Sequence, residues 1–151
     1  MRMKFSKYHG CGNDFICTDF RTKSYDLIFL AKTLCRRHFS IGADGLIALY
    51  NSDQADFKMV IANADGSIPE MCGNGLRCFV HFLSDLNLLI NDRISIETDA
   101  GILTVTVINH QNNLLETKVE IGKAKFLESL PSDDFNFNFK ETLYHDINVD
   151  G

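Results

Sequence analysis

Hydrophobic and polar residues alternate over much of this chain, with the period of two that is typical of half-buried strands. Turn-forming residues, mainly Gly, Asn and Asp, separate the alternating segments. The pattern predicts strands over residues 3–9, 15–20, 46–50, 57–62, 93–98, 102–109 and 115–121.

A helical period interrupts the alternation near residues 26–38, where Ser24 or Asp26 could serve as the N-cap. Its apolar positions fall on one face: Leu27, Leu30, Ala31, Leu34 and Cys35. A second helix is predicted from Gly73 to about Leu88, with only a narrow polar stripe: Arg77, His81, Ser84 and Asp85. Because nearly all the rest of that helix is apolar, we expect it to be largely buried. The pattern therefore predicts an α+β fold in which a strand-rich sheet wraps around a central, mostly apolar helix.

The regular pattern weakens after about Gly122. Residues 126–139 carry weak strand signals, and residues 147–151 read as a strand followed by a turn. We therefore expect a first domain over residues 1–122 and the opening of a second, incomplete domain over residues 123–151.

Composition and charge argue against several function classes. The formal net charge is −5 and the isoelectric point is about 5.4, whereas nucleic acids and anionic membranes are bound by basic surfaces. No segment approaches the roughly 20 apolar residues of a membrane span, and residues 1–7 carry no apolar signal core. We therefore expect a cytoplasmic protein that binds neither nucleic acid nor a membrane.

The five cysteines are odd in number and lack the spacing of a disulfide framework, which fits a reducing compartment. No pair has the C-x-x-C spacing of a zinc module, so we expect no metal site. Free cysteine packs as a small hydrophobe, so four of the five are expected to be core or near-core thiols: Cys11, Cys17, Cys35 and Cys78.

Cys72 differs from those four cysteines in its position. It opens the run Cys72-Gly73-Asn74-Gly75, in which a glycine-rich turn leads directly into the second predicted helix. The start of a helix carries unpaired N–H groups and the positive end of the macrodipole, both of which favour a thiolate. The glycines remove side-chain bulk, so a ligand carboxylate could reach the bare amides. We therefore expect Cys72 to lie outside the packed body as a thiolate beside an anion-binding site.

Three loops combine glycine with asparagine, at residues 10–14, 63–67 and 72–75. Asn13, Asn63 and Asn74 either tolerate turn backbone or bind a ligand. An amide side chain both donates and accepts hydrogen bonds, which suits a zwitterion. Three such loops together with a thiol at a helix start favour a binding site for a small zwitterionic molecule.

These motifs resemble those of the diaminopimelate epimerase family. Residues 5–15 (FSKYHGCGNDF) resemble its N-terminal signature, residues 63–67 (NADGS) and 71–78 (MCGNGLRC) resemble its first active-site motif, and residues 42–45 (GADG) fall in register. The resemblance implies the fold of one of two pseudo-symmetric halves. It also implies an isomerase of lysine and peptidoglycan precursor biosynthesis, which converts LL-2,6-diaminopimelate to the meso form without a cofactor.

Members of the family use two cysteines on opposite faces of the substrate α-carbon, one as a thiolate base and the other as a thiol acid. The resemblance places Cys72 at the first of these positions and Asn13, Asn63, Gly73 and Asn74 at substrate-binding positions. It implies no metal and a homodimer. The second cysteine of the family lies in a Cys-Gly-x-Gly motif of a second half. No such further motif occurs here, so we expect an incomplete portion with little or no activity by itself.

Two alternatives stay open. The chain could belong to a racemase or isomerase of the same fold with another substrate, or it could be a non-catalytic remnant that binds a ligand. The intact loop around Cys72 favours chemistry over the remnant. Some members carry a substrate-holding glutamine where this chain has Gly45, so that contact is not expected here.

Overall fold

The structure is a computed structural model that describes residues 3–111 and 114–120. These residues form one mixed, curled sheet of seven strands together with two helices, which confirms the predicted strand-rich α+β fold. The elements, in chain order, are β1 (Ser6–Gly10), β2 (Asn13–Asp19), α1 (Leu27–Leu34), β3 (Gly45–Tyr50), β4 (Phe57–Asn63), α2 (Gly73–Asp85), β5 (Arg93–Thr98), β6 (Gly101–Gln111) and β7 (Leu114–Glu120).

The strands lie in the sheet in the same order as in the chain. Two neighbouring pairs, β2 with β3 and β4 with β5, are parallel, and the other four are antiparallel. A parallel pair needs a crossover connection, and each of these two crossovers contains one helix. The crossovers bring the start of β2, the start of β3 and the end of β4 to one end of the sheet, where Gly45 pairs with both Phe15 and Asn63.

The two faces of the sheet carry different helices, as the alternation of side chains along a strand requires. Against one face packs α2, and this face presents Phe15, Cys17, Ile47, Leu49, Met59 and Ile61. Against the other face packs α1, and this face presents Ile16, Leu46, Ala48 and Ala62. The apolar surface of α2 is buried as predicted, through Leu76, Phe79, Val80 and Leu83. That the sheet encloses α2 as a central helix stays a prediction.

Both helices are shorter than predicted. Asp26 rather than Ser24 caps α1, since its carboxylate accepts a hydrogen bond from the N–H of Phe29. The helix ends at Leu34, because the chain turns back and the N–H of Gly42 donates to the carbonyl of Leu34. At the end of α2, Asn87 takes a left-handed conformation with φ 56°, which closes the helix with a Schellman-type turn.

The prediction of buried thiols is confirmed for Cys17, Cys35 and Cys78 and is wrong for Cys11, which is exposed. Cys11 and Gly12 form the two-residue turn between β1 and β2, with φ values of 54° and 82°. Such a double left-handed turn is the tip of a tight hairpin, so the side chain of Cys11 lies in solvent. The apolar character of cysteine favours burial, but the conformation of the turn leaves the Cys11 side chain exposed.

No helix in the described part of the chain is long and apolar enough to cross a membrane. The predicted second domain, residues 123–151, lies outside the described residues, so it stays a prediction.

Candidate active site

Cys72 is the N-cap residue of α2, with an extended backbone (φ −141°). Its Sγ accepts a hydrogen bond from the N–H of Gly75 at 3.4 Å, as an N-cap side chain does. The thiol also contacts Asn13, with 3.7 Å between Sγ and Oδ1 in donor geometry. The side chain is half-buried against the apolar core. The sulfur is therefore at the edge of the packed body, rather than outside it as expected.

The two glycines that follow Cys72 have different roles. A Cβ on Gly75 would lie 3.0 Å from Cδ1 of Ile61, so this glycine lets the first turn of α2 approach the sheet. A Cβ on Gly73 would meet only Nη1 of Arg77, at 3.8 Å, so the space over this residue is open. No described residue accepts a hydrogen bond from the N–H of Gly73 or Asn74. The open amides expected at the helix start are therefore those of Gly73 and Asn74.

The β1–β2 hairpin packs directly on this first turn of α2. A Cβ on Gly10 would lie 3.3 Å from the carbonyl oxygen of Asn74, so the glycine eases this close approach. The approach brings Asn13, the first residue of β2, to the sulfur of Cys72. The β1–β2 hairpin and the start of α2 thus form one site, although Asn13 and Cys72 lie 59 positions apart in the chain.

Asn63 ends β4 at the same end of the sheet. It follows Ile61 by two residues, so its side chain lies on the face that α2 covers. Its Nδ2 donates to Oγ of Ser67 at 2.9 Å, and that hydroxyl donates to Oδ1 of Asp65 at 2.6 Å. Hydrogen bonds from the Ser67 hydroxyl and N–H lower the pKa of Asp65. The loop therefore holds the amino end of the Asn63 amide through the Ser67 hydroxyl.

Asn74 presents the opposite end of its amide. Its Oδ1 accepts a hydrogen bond from Nη1 of Arg77 at 3.1 Å. The NH₂ group of Asn74 therefore adds a donor beside the open backbone amides of Gly73 and Asn74. Donors gather at the start of α2, while the carbonyl oxygen of Asn13 supplies an acceptor from the sheet. This arrangement suits a carboxylate at the helix start and an ammonium group beside the sheet.

A network of charged groups lies behind Asn13, and the sequence analysis did not find it. Nδ2 of Asn13 donates to Oδ2 of Asp44 at 2.8 Å. Nη2 of Arg37 donates to Oδ1 of Asp44 at 2.8 Å and to Oδ1 of Asp14 at 2.6 Å. Nζ of Lys7 lies 3.0 Å from Oδ2 of Asp14. Two aspartates and two basic residues therefore hold the start of β2 to the start of β3.

This network keeps both carboxyl groups ionised. The hydrogen bond from Asn13 is the main cause of the lowered pKa of Asp44, and Arg37 adds to it against the opposing effect of burial. Burial alone would raise the pKa of Asp14, but Arg37 and Lys7 outweigh it and hold this pKa well below its ordinary range. The two carboxylates in turn raise the pKa of Arg37.

Gly45 leaves no room for a side chain in this site. A Cβ there would lie 3.0 Å from the carbonyl oxygen of Ala62 and 3.1 Å from Cε1 of Phe15. The close packing of three strands thus accounts for glycine at this position.

The chain is similar to known proteins in sequence and in fold. A sequence model of the family described as diaminopimelate epimerase matches residues 5–127. The chain is similar to the diaminopimelate epimerase of Halothermothrix orenii, with 46% identity over 95% of this chain and 50% of the relative. It is also similar to that of Agathobacter rectalis, with 45% identity over 80% of this chain and 43% of the relative. The chain thus spans about half the length of the curated relatives it matches.

Solved structures with a similar fold are less similar in sequence. A PhzF-family phenazine biosynthesis protein of Bacillus anthracis matches with a TM-score of 0.60 at 20% identity, over 78% of this chain and 38% of the other. A hydroxyproline epimerase of Agrobacterium vitis matches with a TM-score of 0.57 at 12% identity, over 75% of this chain and 39% of the other. At these identities the likeness shows the fold alone.

Proposed function

The chain belongs to the diaminopimelate epimerase family, and from that premise we propose that Cys72 is one of the two acid–base groups of an enzyme that interconverts LL- and meso-2,6-diaminopimelate. The observation that carries the proposal is the Cys72 thiol at the N-cap of α2, beside the open amides of Gly73 and Asn74. One cysteine removes the α-proton, and the other delivers a proton to the opposite face of the same carbon. No electron is gained or lost, so the proton transfers alone balance the reaction.

The start of α2 supplies the help that such a proton transfer needs. The α-proton of an amino acid is a very weak acid, and negative charge develops on the carboxylate as the proton leaves. The N–H groups of Gly73 and Asn74 and the positive end of the helix dipole would stabilise that charge. In this proposal the substrate carboxylate therefore binds at the helix start, within reach of the Cys72 sulfur.

The ammonium group of the substrate would bind to acceptors on the sheet side. The carbonyl end of Asn63 is available because its NH₂ group is held by Ser67. Asn13 contributes its carbonyl oxygen next to the Cys72 thiol. A carbonyl oxygen accepts hydrogen bonds from an ammonium group, so these two oxygens suit the amino group of the proposed substrate.

The other cysteines of the chain support a partner from elsewhere in the protein. Burial raises the pKa of Cys17 well above its ordinary value, that of Cys35 to about 11 and that of Cys78 to about 12. A buried thiol of raised pKa is seldom ionised and is closed off from a substrate, and Cys11 lies at the hairpin tip in solvent. We therefore assign the second acid–base cysteine to the region that corresponds to the remaining half of the curated relatives.

The proposal extends to the whole protein. Its two halves would be pseudo-symmetric, each with a sheet around a central helix, and the cysteines would face each other across a cleft. The enzyme would act without a cofactor, as a cytoplasmic homodimer.

The test is the incorporation of deuterium at the α-carbon of diaminopimelate in deuterated water, followed by mass spectrometry and chiral chromatography. This chain would be assayed alone and fused to the second half of the Halothermothrix orenii epimerase. We expect little or no exchange by the chain alone, and exchange with epimerisation by the fusion. Cys72→Ala should abolish the activity of the fusion, whereas Cys11→Ser, at the exposed tip of the β1–β2 hairpin, should retain it.

Two results would contradict the proposal. Activity of the fusion that survives Cys72→Ala would exclude Cys72 as an acid–base group. Full-rate epimerisation by the chain alone would show that no second half is needed. A panel with proline, hydroxyproline and histidine decides the substrate, since preference for any of these over diaminopimelate would exclude the substrate proposed here.

A further inference from the structure

The charged network behind Asn13 connects the two faces of the sheet. Asp44 comes two residues before Leu46, whose side chain packs on the α1 side, so the alternation of side chains assigns Asp44 to that side. Asn13 comes two residues before Phe15, whose side chain packs on the α2 side. The hydrogen bond from Nδ2 of Asn13 to Oδ2 of Asp44, at 2.8 Å, therefore joins one face to the other at the end of the sheet.

The carboxylate of Asp44 is held by two groups. Nη2 of Arg37 donates to its Oδ1 at 2.8 Å, and the N–H of Asp14 donates to its Oδ2 at 3.1 Å. The same Nη2 also donates to Oδ1 of Asp14 at 2.6 Å, so one guanidinium bridges two carboxylates that would otherwise repel each other. Arg37 thus allows both carboxylates to stay ionised side by side.

The ionised Asp44 determines which end of the Asn13 amide faces the thiol. A carboxylate can only accept hydrogen bonds, so the NH₂ end of the amide must face Asp44. The carbonyl end is then turned toward Cys72, with 3.7 Å between Oδ1 and Sγ. This oxygen lies beside the group at which the substrate α-carbon and its amino group are proposed to bind.

We propose that Arg37 is a positioning residue that acts through Asp44 and Asn13 and thereby sets the preference of the site for an ammonium group. Without Arg37, the carboxylates of Asp14 and Asp44 repel each other, and Asp44 is no longer held as the acceptor of the Asn13 amide. The amide can then turn, and an NH₂ group beside the thiol repels the ammonium group that a carbonyl oxygen attracts. The inference rests on the proposed function, since it concerns how the amino group of that substrate is bound.

The first measurement needs no substrate. Two-dimensional proton–nitrogen NMR spectra of the full chain contain the NH₂ signals of Asn13, which are assigned as the pair that Asn13→Ala removes. In Arg37→Ala we expect this pair to move toward the position of a solvent-exposed asparagine, because the hydrogen bond to Asp44 is lost. The matched control is Arg36→Ala. The guanidinium of Arg36 lies over the ring of Phe39, 5.0 Å from its centroid, so the Asn13 signals should stay in place.

The second measurement is the KM and kcat for diaminopimelate of the fusion to the second half of the Halothermothrix orenii epimerase. Arg37→Ala should raise KM about tenfold, the worth of a hydrogen bond to a charged group. It should change kcat less than about twofold, because the lost interaction is made with substrate and transition state alike. In an Asn13→Ala background the same substitution should change KM less than about twofold, which separates an effect through Asn13 from a general one. Arg36→Ala should leave both constants unchanged.

Chemical rescue separates positioning from a general loss of stability. The side chain of Arg37 is half-exposed, so its truncation leaves a space that is open to solvent. Guanidinium chloride, at concentrations too low to unfold the protein, should restore the low KM of Arg37→Ala, because a planar guanidinium can again bridge both carboxylates. An equal concentration of sodium chloride should not restore it. Arg37→Gln, which removes the charge but keeps most of the stem, is the second variant and applies equally if Arg37→Ala fails to fold.

Three results would overturn the inference: Asn13 signals that stay in place in both Arg37 variants, an unchanged KM, or an effect on KM that is as large without Asn13 as with it. Absence of epimerisation by the wild-type fusion would instead count against the proposed function. The NMR comparison tests the link from Arg37 to Asn13 in either case, so the two failures can be told apart.

Discussion

Cys72 has two roles in this structure, and one pair of substitutions separates them. Its sulfur caps α2 through the N–H of Gly75, at 3.4 Å, and we propose that the same sulfur exchanges protons with a substrate. Serine is a strong N-cap residue but a far weaker acid than cysteine, whereas alanine cannot cap at all. We therefore expect Cys72→Ser to keep the helix cap and Cys72→Ala to lose it, while both lose the chemistry.

The size of the cap effect follows from comparing the two variants with each other. Neither serine nor alanine carries the sulfur, so the loss of its half-buried packing against the core is common to both and cancels. The remaining difference is a hydroxyl that accepts from the first turn of α2. Replacing serine by alanine at an N-cap typically costs about 1 kcal/mol, within a range of about 0.5 to 2 kcal/mol. The serine variant should therefore have the larger free energy of unfolding by about 1 kcal/mol.

Urea unfolding followed by far-UV circular dichroism measures this difference. With a denaturant slope of about 1–3 kcal/mol/M, it corresponds to a midpoint shift of about 0.3–1 M. Cys11→Ser and Cys11→Ala are the matched controls, and they should not differ, because Cys11 is exposed and caps no helix. Equal midpoints for the serine and alanine variants at position 72 would refute the assignment of Cys72 as the cap of α2.

Three further predictions concern packing and charge, each measured by urea unfolding of the full chain. Gly75→Ala should lower the free energy of unfolding by about 1–3 kcal/mol, because the added Cβ would lie 3.0 Å from Ile61. Gly73→Ala should be neutral or stabilising, since its Cβ would meet only Arg77, at 3.8 Å. Phe79→Ala should lower the free energy of unfolding by about 3–5 kcal/mol, since Phe79 is fully buried. Phe29→Ala, at an exposed position of α1, should change it by less than about 0.5 kcal/mol. Asp14→Asn should destabilise the protein at neutral pH. Because the folded-state pKa of Asp14 is lowered, the stabilisation by its carboxylate is complete above about pH 4–5. The difference in free energy of unfolding between the wild type and the variant should therefore decrease as the pH falls through the lowered pKa. A difference in free energy of unfolding that stays constant down to pH 2 would contradict the stabilising role of the Asp14 carboxylate.

The secondary structure could largely be predicted from the sequence, because its signals are local. Alternation located all seven described strands, and the helical period located both helices. The helix ends could not be predicted as well, since they depend on contacts that the pattern does not contain. The turn back to Leu34 that ends α1 requires Gly42, which lies eight positions further along the chain.

The residues proposed to touch substrate were also accessible from the sequence, but their supporting network was not. Cys72 and the three asparagines lie in glycine-rich loops, which are themselves a local signal. Asp14 and Asp44 lie 30 positions apart and meet only because β2 and β3 are parallel neighbours. Arg37 belongs to a short basic cluster whose sequence does not indicate that it binds both carboxylates. The sequence shows which loops have an unusual composition, but it does not show which of these loops the sheet brings together.

The register of the sheet therefore sets the geometry of the candidate site. Gly45 pairs with Phe15 on one side and with Asn63 on the other. A slip of one residue in the β3–β4 pairing would turn Asn63 to the opposite face of the sheet, away from α2. Packing opposes that slip, because Ile47 and Ile61 meet α2 at Gly75, where a side chain has no room. Gly75 thus lets the first turn of α2, and with it Cys72, approach the sheet, and Ile47 and Ile61 of the two paired strands both pack against the same glycine.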